Sequence, residues 1–388
     1  MLGINSNINS LVAQQNLNGS QSALSQAITR LSSGKRINSA ADDAAGLAIS
    51  TRMQTQINGL NQGVSNANDG VSIVQTASSA LSSMTSSLQR IRQLAVQASS
   101  GSLSSSDQAA LQQEVTQQIA EVNRIASQTT YNGKSILDGS AGSISFQVGA
   151  NVGQTISLDL SQNLGASALG GGMVQSGNTL GTIQVAVDAS GAAWNSSSSG
   201  SETTSINVLS DGKGGFTFTD QNNQALSSTA VTAIFGSSTA GTGTSTSNAF
   251  QTLTVASAAT SALTAAQQTA STDEVTGINK VNEPPSVSNL DISTTTGANQ
   301  AMVSIDNALA TINNVQASLG AAQNRFTAIA SSQQANSTNL SSAQSQINDA
   351  NFAQETANLS KAQVLQQAGI SVLAQANSNP QQVLKLLQ

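Results

Sequence analysis

The 388-residue chain contains no cysteine and no histidine. These two absences exclude disulfides, thiol chemistry, Cys/His zinc sites, histidine-held haem and every catalytic triad that needs an imidazole base. Aromatic residues are 2% and charged residues 8%, the latter against about a quarter in ordinary domains. Thirteen Lys and Arg face nineteen acids, for a net charge of −6. No basic cluster is dense enough to follow a phosphate backbone, so nucleic acid is not an expected partner. No apolar run reaches the roughly 18 residues that a membrane span needs, so no membrane insertion is expected. The first twenty residues lack the basic and apolar regions of a cleavable signal. No catalytic, cofactor-binding or metal-binding set is expected, and the chain does not read as an enzyme.

Proline is scarce too. Pro284, Pro285 and Pro380 are the only three, which leaves the first 283 residues free to build long helices. Ser, Thr, Asn, Gln, Ala and Gly take the missing places, and apolar residues are spaced among them at helical intervals. Leu60, Ala67, Val74, Leu81, Leu88 and Ala95 recur every seven residues. Ile57, Val64 and Val71 form a companion row that shifts register to Met84 and Ile91. That lattice predicts a coiled-coil or bundle helix over about 45–98, with Asp42 and Asp43 suiting the positive end of its dipole. A second helix is predicted after the SGSLSSSDQ loop, opened by a capping box of Ser105 with Gln108 and facing inward through Leu111, Val115, Ile119, Val122 and Ala126. Strict alternation at Ile144–Phe146–Val148 and Ile156–Leu158–Leu160 predicts a β-hairpin.

The middle obeys different rules. Between 171 and 285 two basic residues, Lys213 and Lys280, face seven acids, and six of the nine aromatics fall between 146 and 250. Short alternating runs (Ile183–Val185–Val187, Ile206–Val208, Phe216–Phe218) are parted by Gly, Asn and Ser clusters, with DGKGG at 211–215 favouring a hairpin. SSSSG at 196–200 and GTGTSTSN at 241–248 read as flexible segments. This stretch reads as a separate inserted β domain.

Helical periodicity returns after about Gln300. Ile305, Ile312, Leu319, Phe326, Leu340 and Ile347 sit on one seven-residue lattice, broken at Gln333. A last helix carries Leu365, Ala368, Val372, Ala376, Val383 and Leu386, with Pro380 kinking or ending it. The first 31 residues bear a matching stripe: Ile4, Leu11, Leu17, Leu24 and Leu31, with Ile8 and Ile28 beside it. The economical architecture is mainly α with an inserted α/β or β domain. Both chain ends form a long antiparallel helical bundle or coiled coil, with a small β-hairpin and a β-rich tip domain. The expected divisions are a terminal helix over 1–42, a helical rod with the hairpin over 43–170, a β-rich domain over 171–290, a helical return over 291–348, and a terminal helix over 349–388.

Long contiguous stretches carry a resemblance. AITRLSSGKRINSAADDAAGLAIS (27–50), LQRIRQLAVQ (88–97) and QTTYNGKSILDG (128–139) strongly resemble the N-terminal part of bacterial flagellin. LGAAQNRF (319–326), LSKAQVLQQAGISVLAQAN (359–377) and VLKLLQ (383–388) resemble its other end. The resemblance covers about 1–165 and 295–388 and implies a structural subunit that polymerises into the extracellular filament of the bacterial flagellum, for swimming. Its implied partners are copies of itself, the export chaperone through 349–388, the type III export apparatus, the filament cap and the flagellin-sensing Toll-like receptor. The resemblance places Gln89, Arg90, Leu94 and Glu114 on the receptor-recognised surface. It places Val383, Leu384, Leu386 and Leu387 on the tail read by intracellular sensors or packed in the filament core. The polymerisation core it implies includes Ile4, Ile8, Leu11, Leu24, Ile28, Leu31, Leu365 and Val372. Gln93 stands where other members commonly have Glu. Flagellins that carry a zinc peptidase need an HExxH helix, which a histidine-free chain lacks. A hook–filament junction protein and a soluble adhesin are the rival readings.

Overall fold

The computed structural model describes residues 7–195, 201–236 and 251–386, with side chains of the last helix described up to Ser378. The flexible segments expected at 196–200 and 241–248 lie outside the described residues. In chain order the helices are α1 (Ile8–Ser33), α2 (Ala44–Ala98), α3 (Ser105–Gln128), α4 (Ser228–Phe235), α5 (Ser257–Thr260), α6 (Ala265–Asn282), α7 (Thr295–Asn348) and α8 (Phe352–Leu386). The strands are β1 (Thr130–Tyr131), β2 (Lys134–Ser135), β3 (Gly142–Gln147), β4 (Thr155–Leu160), β5 (Thr179–Val187), β6 (Thr203–Ser210) and β7 (Phe216–Asp220). Two compact units result: 1–68 with 147–155 and 327–388, and 69–146 with 156–326.

The lattice of α2 is its buried face. Leu60, Ala67, Val74, Leu81, Leu88 and Ala95 are all buried, as are Met84 and Ile91 where the companion row shifts. On α7 Ile305, Ile312, Leu319 and Phe326 are buried likewise. The exposed faces satisfy their own polar groups. On α2 the hydroxyls of Thr51, Thr55, Ser65, Thr76, Thr85 and Ser86 each donate to the carbonyl four residues back. Gln54 and Gln62 donate to Asn58 and Asn66, each one turn on. On α7 Thr311, Ser331, Thr338 and Ser342 repeat the hydroxyl pattern.

Two local expectations need correction. The box that opens α3 is made by Ser104 and Asp107, one residue earlier than the Ser105–Gln108 pair; Asp107 is short enough to reach back to the Ser104 N–H. Asp42 stands just before α2, and its Oδ2 accepts from the N–H groups of Asn38 and Ser39, which pins the α1–α2 connection. Asp43, by contrast, accepts from the Gly46 N–H at the start of α2. Pro380 does not end the last helix, which continues to Leu386. The hairpin appears as β3 and β4, and YNGK folds into a second, two-residue one, β1 with β2.

The inserted domain is α+β rather than β alone. Its sheet has the order β5-β6-β7, antiparallel throughout. α4 and α6 complete the core with Val231, Ile234, Phe235, Val275, Ile278 and Val281, and Phe218 stacks on Phe235 with centroids 4.4 Å apart. One five-residue turn is used three times, headed by Asp188, Asp211 and Asp220. In each the Asp N–H donates to the carbonyl four residues on, of Ala192, Gly215 and Gln224. Its Oδ1 accepts from the N–H groups two and four residues on. The fourth residue has positive φ, at Gly191, Gly214 and Asn223, which L side chains tolerate poorly and Gly or Asn accept. The Asp211 turn joins β6 to β7. The other two fold the chain back onto the outer edges, pairing Val187 with Ala193 and Thr219 with Ala225. α6 closes the rest of the β5 edge: Glu274 accepts from the Gln184 N–H at 3.1 Å and the Ser271 hydroxyl donates to the Gln184 carbonyl at 2.7 Å.

Candidate assembly surface

α1 and α8 lie antiparallel. At one end the Asn7 amide donates to the Ala376 carbonyl and the Ser10 hydroxyl to Asn377 Oδ1, each at 2.8 Å. At the other, Arg30 pairs with Glu355 at 3.4 Å. The buried apolar residues of the pair are small, Ala13, Ala27, Ala362 and Ala376, and Glu355 is buried with them. Gly369 faces Leu17, where an added Cβ would lie 3.4 Å from the leucine side chain. Small residues let the helices approach, yet such a seam buries little apolar area and is weak on its own.

The larger apolar residues are left outside. Ile8, Leu11 and Ile28 are 64%, 70% and 50% exposed, and Leu365 and Val372 are 48% and 56% exposed. Leu24 and Leu31 are half-buried. Of the residues assigned to the polymerisation core, Ile4 lies outside the described residues. So do Leu387 and the side chains of Val383, Leu384 and Leu386. Between the helices runs an open groove of about 660 Å³, lined by Ala23, Ala27, Arg30, Glu355, Lys361 and Leu365 among others. Arg30 is the one charge on α1 and Glu355 the one acid on α8. The sequence reading passed over both; in helices this poor in charge, a lone opposite pair is the signal that finds them.

A second cluster sits on α2 and α3. Arg90 Nε donates to Glu114 at 2.7 Å, and this carboxylate holds the guanidinium still more firmly protonated. Gln89 is exposed beside it, and Gln93 accepts a long 3.5 Å bond from Arg90. Two residues on, Arg92 turns to α7 and grips Asp306 with two bonds of 2.7 and 3.2 Å. Leu94 departs from the surface expected of it: it is 1% exposed, because its position on the helix belongs to the buried face.

Three family models together account for most of the chain. The bacterial flagellin N-terminal helical region matches residues 4–142, the flagellin D2 domain 172–281, and the bacterial flagellin C-terminal helical region 302–387. The chain belongs to the bacterial flagellins. The B-type flagellin of Pseudomonas aeruginosa is 38% identical over 100% of both chains. Polar flagellin F of Vibrio parahaemolyticus is 36% identical over 99% of both. The solved structure of FliC from Burkholderia pseudomallei is 75% identical, covers 66% of this chain and 100% of its own, and superposes with a TM-score of 0.63. This flagellin is therefore a structural subunit of the bacterial flagellar filament, a homopolymer, and its family is structural rather than enzymatic. No described helix is long and apolar enough to cross a membrane.

Proposed function

We propose that the outer faces of α1 and α8 are the surfaces by which one subunit packs on the next in the extracellular filament. The observation that carries this is the exposure of Ile8, Leu11, Ile28, Leu365 and Val372 on two helices whose mutual seam is built of alanines. Apolar residues of that size are stabilised by burial at about 25 cal/mol per Å², and here a second copy supplies the cover. Heterologous packing that repeats without closing yields a helical filament. A terminal pair with so thin a seam orders fully only against its neighbours. In this reading 1–42 and 349–388 form the filament core, 43–170 and 291–348 the rod, and 171–290 the solvent-facing domain. The flagellin resemblance assigns Ile4 and the tail residues Val383, Leu384, Leu386 and Leu387 to the same core.

Delivery follows from the same chemistry. A chain with no cysteine threads a type III export channel unfolded without forming cross-links, and 349–388 offers the export chaperone an amphipathic helix for a groove. The filament cap then receives the subunit. Arg90 and Glu114, with Gln89 beside them, form the polar patch for a Toll-like receptor, and the terminal leucines serve intracellular sensors. Support for the receptor reading is the exposed, preformed ion pair together with the LQRIRQLAVQ resemblance.

Short filament seeds added to heat-dissociated protein test assembly. Long uniform filaments with a gain in far-UV circular dichroism are expected. Removing about forty residues from each end is expected to leave a soluble core that does not extend seeds; extension at the parental rate would overturn the proposal.

A further inference from the structure

The two connections that lead to the terminal helices are tied to one another. Lys35, between α1 and α2, forms an isolated antiparallel bridge with Asp349, between α7 and α8. The Arg36 N–H donates to the Asn348 carbonyl at 2.7 Å and the Ala350 N–H to the Gly34 carbonyl at 2.9 Å. The Arg36 guanidinium adds two bonds to the Ile347 carbonyl, from Nε at 3.2 Å and Nη2 at 2.6 Å. The last turn of α7 has no basic residue of its own. Arg36 therefore brings from another segment the cation that a helix C-terminus favours and a donor for a carbonyl left without an intrahelical partner. The Asn38 amide, donating to Ser33 Oγ at 2.8 Å, and the Asp42 carboxylate brace the same connection.

This clasp stands where α1 and α8 leave α2 and α7, within one compact unit. Past it, Arg30–Glu355 is followed by the small-residue seam, which resists rotation weakly. We propose that Arg36, with the Lys35–Asp349 bridge, is the positioning element that aims the α1–α8 pair, and that the clasp is closed in a subunit competent to join the filament. The inference rests on α1 and α8 being the assembly surface.

The cysteine-free chain offers a clean test. The bonds flanking Lys35 and Asp349 come from their neighbours, so the two form a non-hydrogen-bonded pair, with Cα atoms about 4.5 Å apart, inside the range a disulfide spans. Lys35→Cys with Asp349→Cys gives the full-length protein one disulfide, reversible by reductant. Seed extension is measured for the parent, the oxidised and reduced pair, Arg36→Ala, Arg36→Lys, and Arg36→Ala carrying the pair. The oxidised pair is expected to extend seeds at the parental rate. Arg36→Ala slows extension several-fold, Arg36→Lys recovers part because an ammonium lacks the fork, and oxidation of the pair in Arg36→Ala restores the rate. A purely local loss of stability would show instead as lower monomer helicity with no rescue. Arg36→Ala at the parental rate overturns the proposal, as does an oxidised pair that stops extension while its reduced form grows. If the reduced pair does not grow, the Arg36 variants decide. A parent that fails to extend seeds would count against the assembly surface itself, which separates the two failures.

Discussion

Phe326 meets Phe146 edge-on, ring centroids 5.2 Å apart at 87°, and lies against the bare backbone of Gly70. A Cβ added at Gly70 would lie 2.7 Å from two Phe326 ring carbons. The ring is fully buried, so it has nowhere to move without displacing Phe146. Gly70→Ala gains up to about 1 kcal/mol of helix propensity, but overpacking of this kind costs about 1–3 kcal/mol. The expected outcome is a lower melting temperature, partly recovered by adding Phe326→Leu. A gain in melting temperature for the single variant would show that the ring yields.

The sheet of the inserted domain has both edges shut by the same device. Asp188→Ala with Asp220→Ala removes the acceptors that fold residues 192–194 and 224–226 back, and frees strand edges able to pair with another chain. Filaments of the double variant are expected to cluster side by side, read as increased light scattering at constant filament mass. Scattering equal to the parent would show that the Asp-headed turns do not guard the edges.

Opposite signs of pH dependence are built into the acids. Asp42, Asp138, Asp159, Asp188 and Asp291 have pKa values held below the usual range, Asp42 chiefly by the Ser39 N–H and the others by the serine two residues on. The unfolded chain binds their protons more readily, so the stability they give is present above about pH 4 and lost as pH falls below it. Glu274 runs the other way, pushed up by burial against β5. Its contribution is present below its unfolded pKa and lost as pH rises through the folded one. Glu274→Gln keeps an acceptor for the Gln184 N–H, so thermal melts should show it gaining on the parent from pH 4 to 7. A difference that is flat across that range would reject the assignment.

Receptor variants need separating by burial. Arg90→Ala and Glu114→Ala remove an exposed pair, and surface pairs contribute little to stability. Both are expected to lower receptor activation with the melting temperature almost unchanged. Leu94→Ala empties a buried site at a cost of about 2–5 kcal/mol, so its effect on activation will track unfolding. Full potency of both polar variants would remove the receptor proposal.

The seven-residue rows of α2 and α7 were legible because burial repeats with the helix and few other residues compete for the lattice. The helices of the inserted domain were not. α6 reads AAQQTASTDEVTGINKVN, where Val275, Ile278 and Val281 are too few to announce an amphipathic helix, and its Thr264–Gln267 capping box is hidden among many such residues. α4 is eight residues long, short enough to pass for a strand. The Asp-headed turns were half legible: DGKGG announced itself by its glycines, whereas DQNNQ relies on Asn223 taking the positive φ. Leu94 was misplaced because a motif records which residues recur and not which way each one faces. The clasp was invisible, since Arg36 and Ile347 are 311 positions apart.

The hydroxyls that α2 and α7 turn back onto their own carbonyls have a consequence for water. A helix surface rich in serine and threonine ordinarily holds a hydration layer that must be stripped before anything can lie against it. Where each hydroxyl already spends its proton inside the helix, that layer is held more loosely, and a neighbour displaces it at small cost. Such a surface is polar enough to keep a lone subunit dissolved and dry enough to be covered, with few charges whose attraction salt could screen.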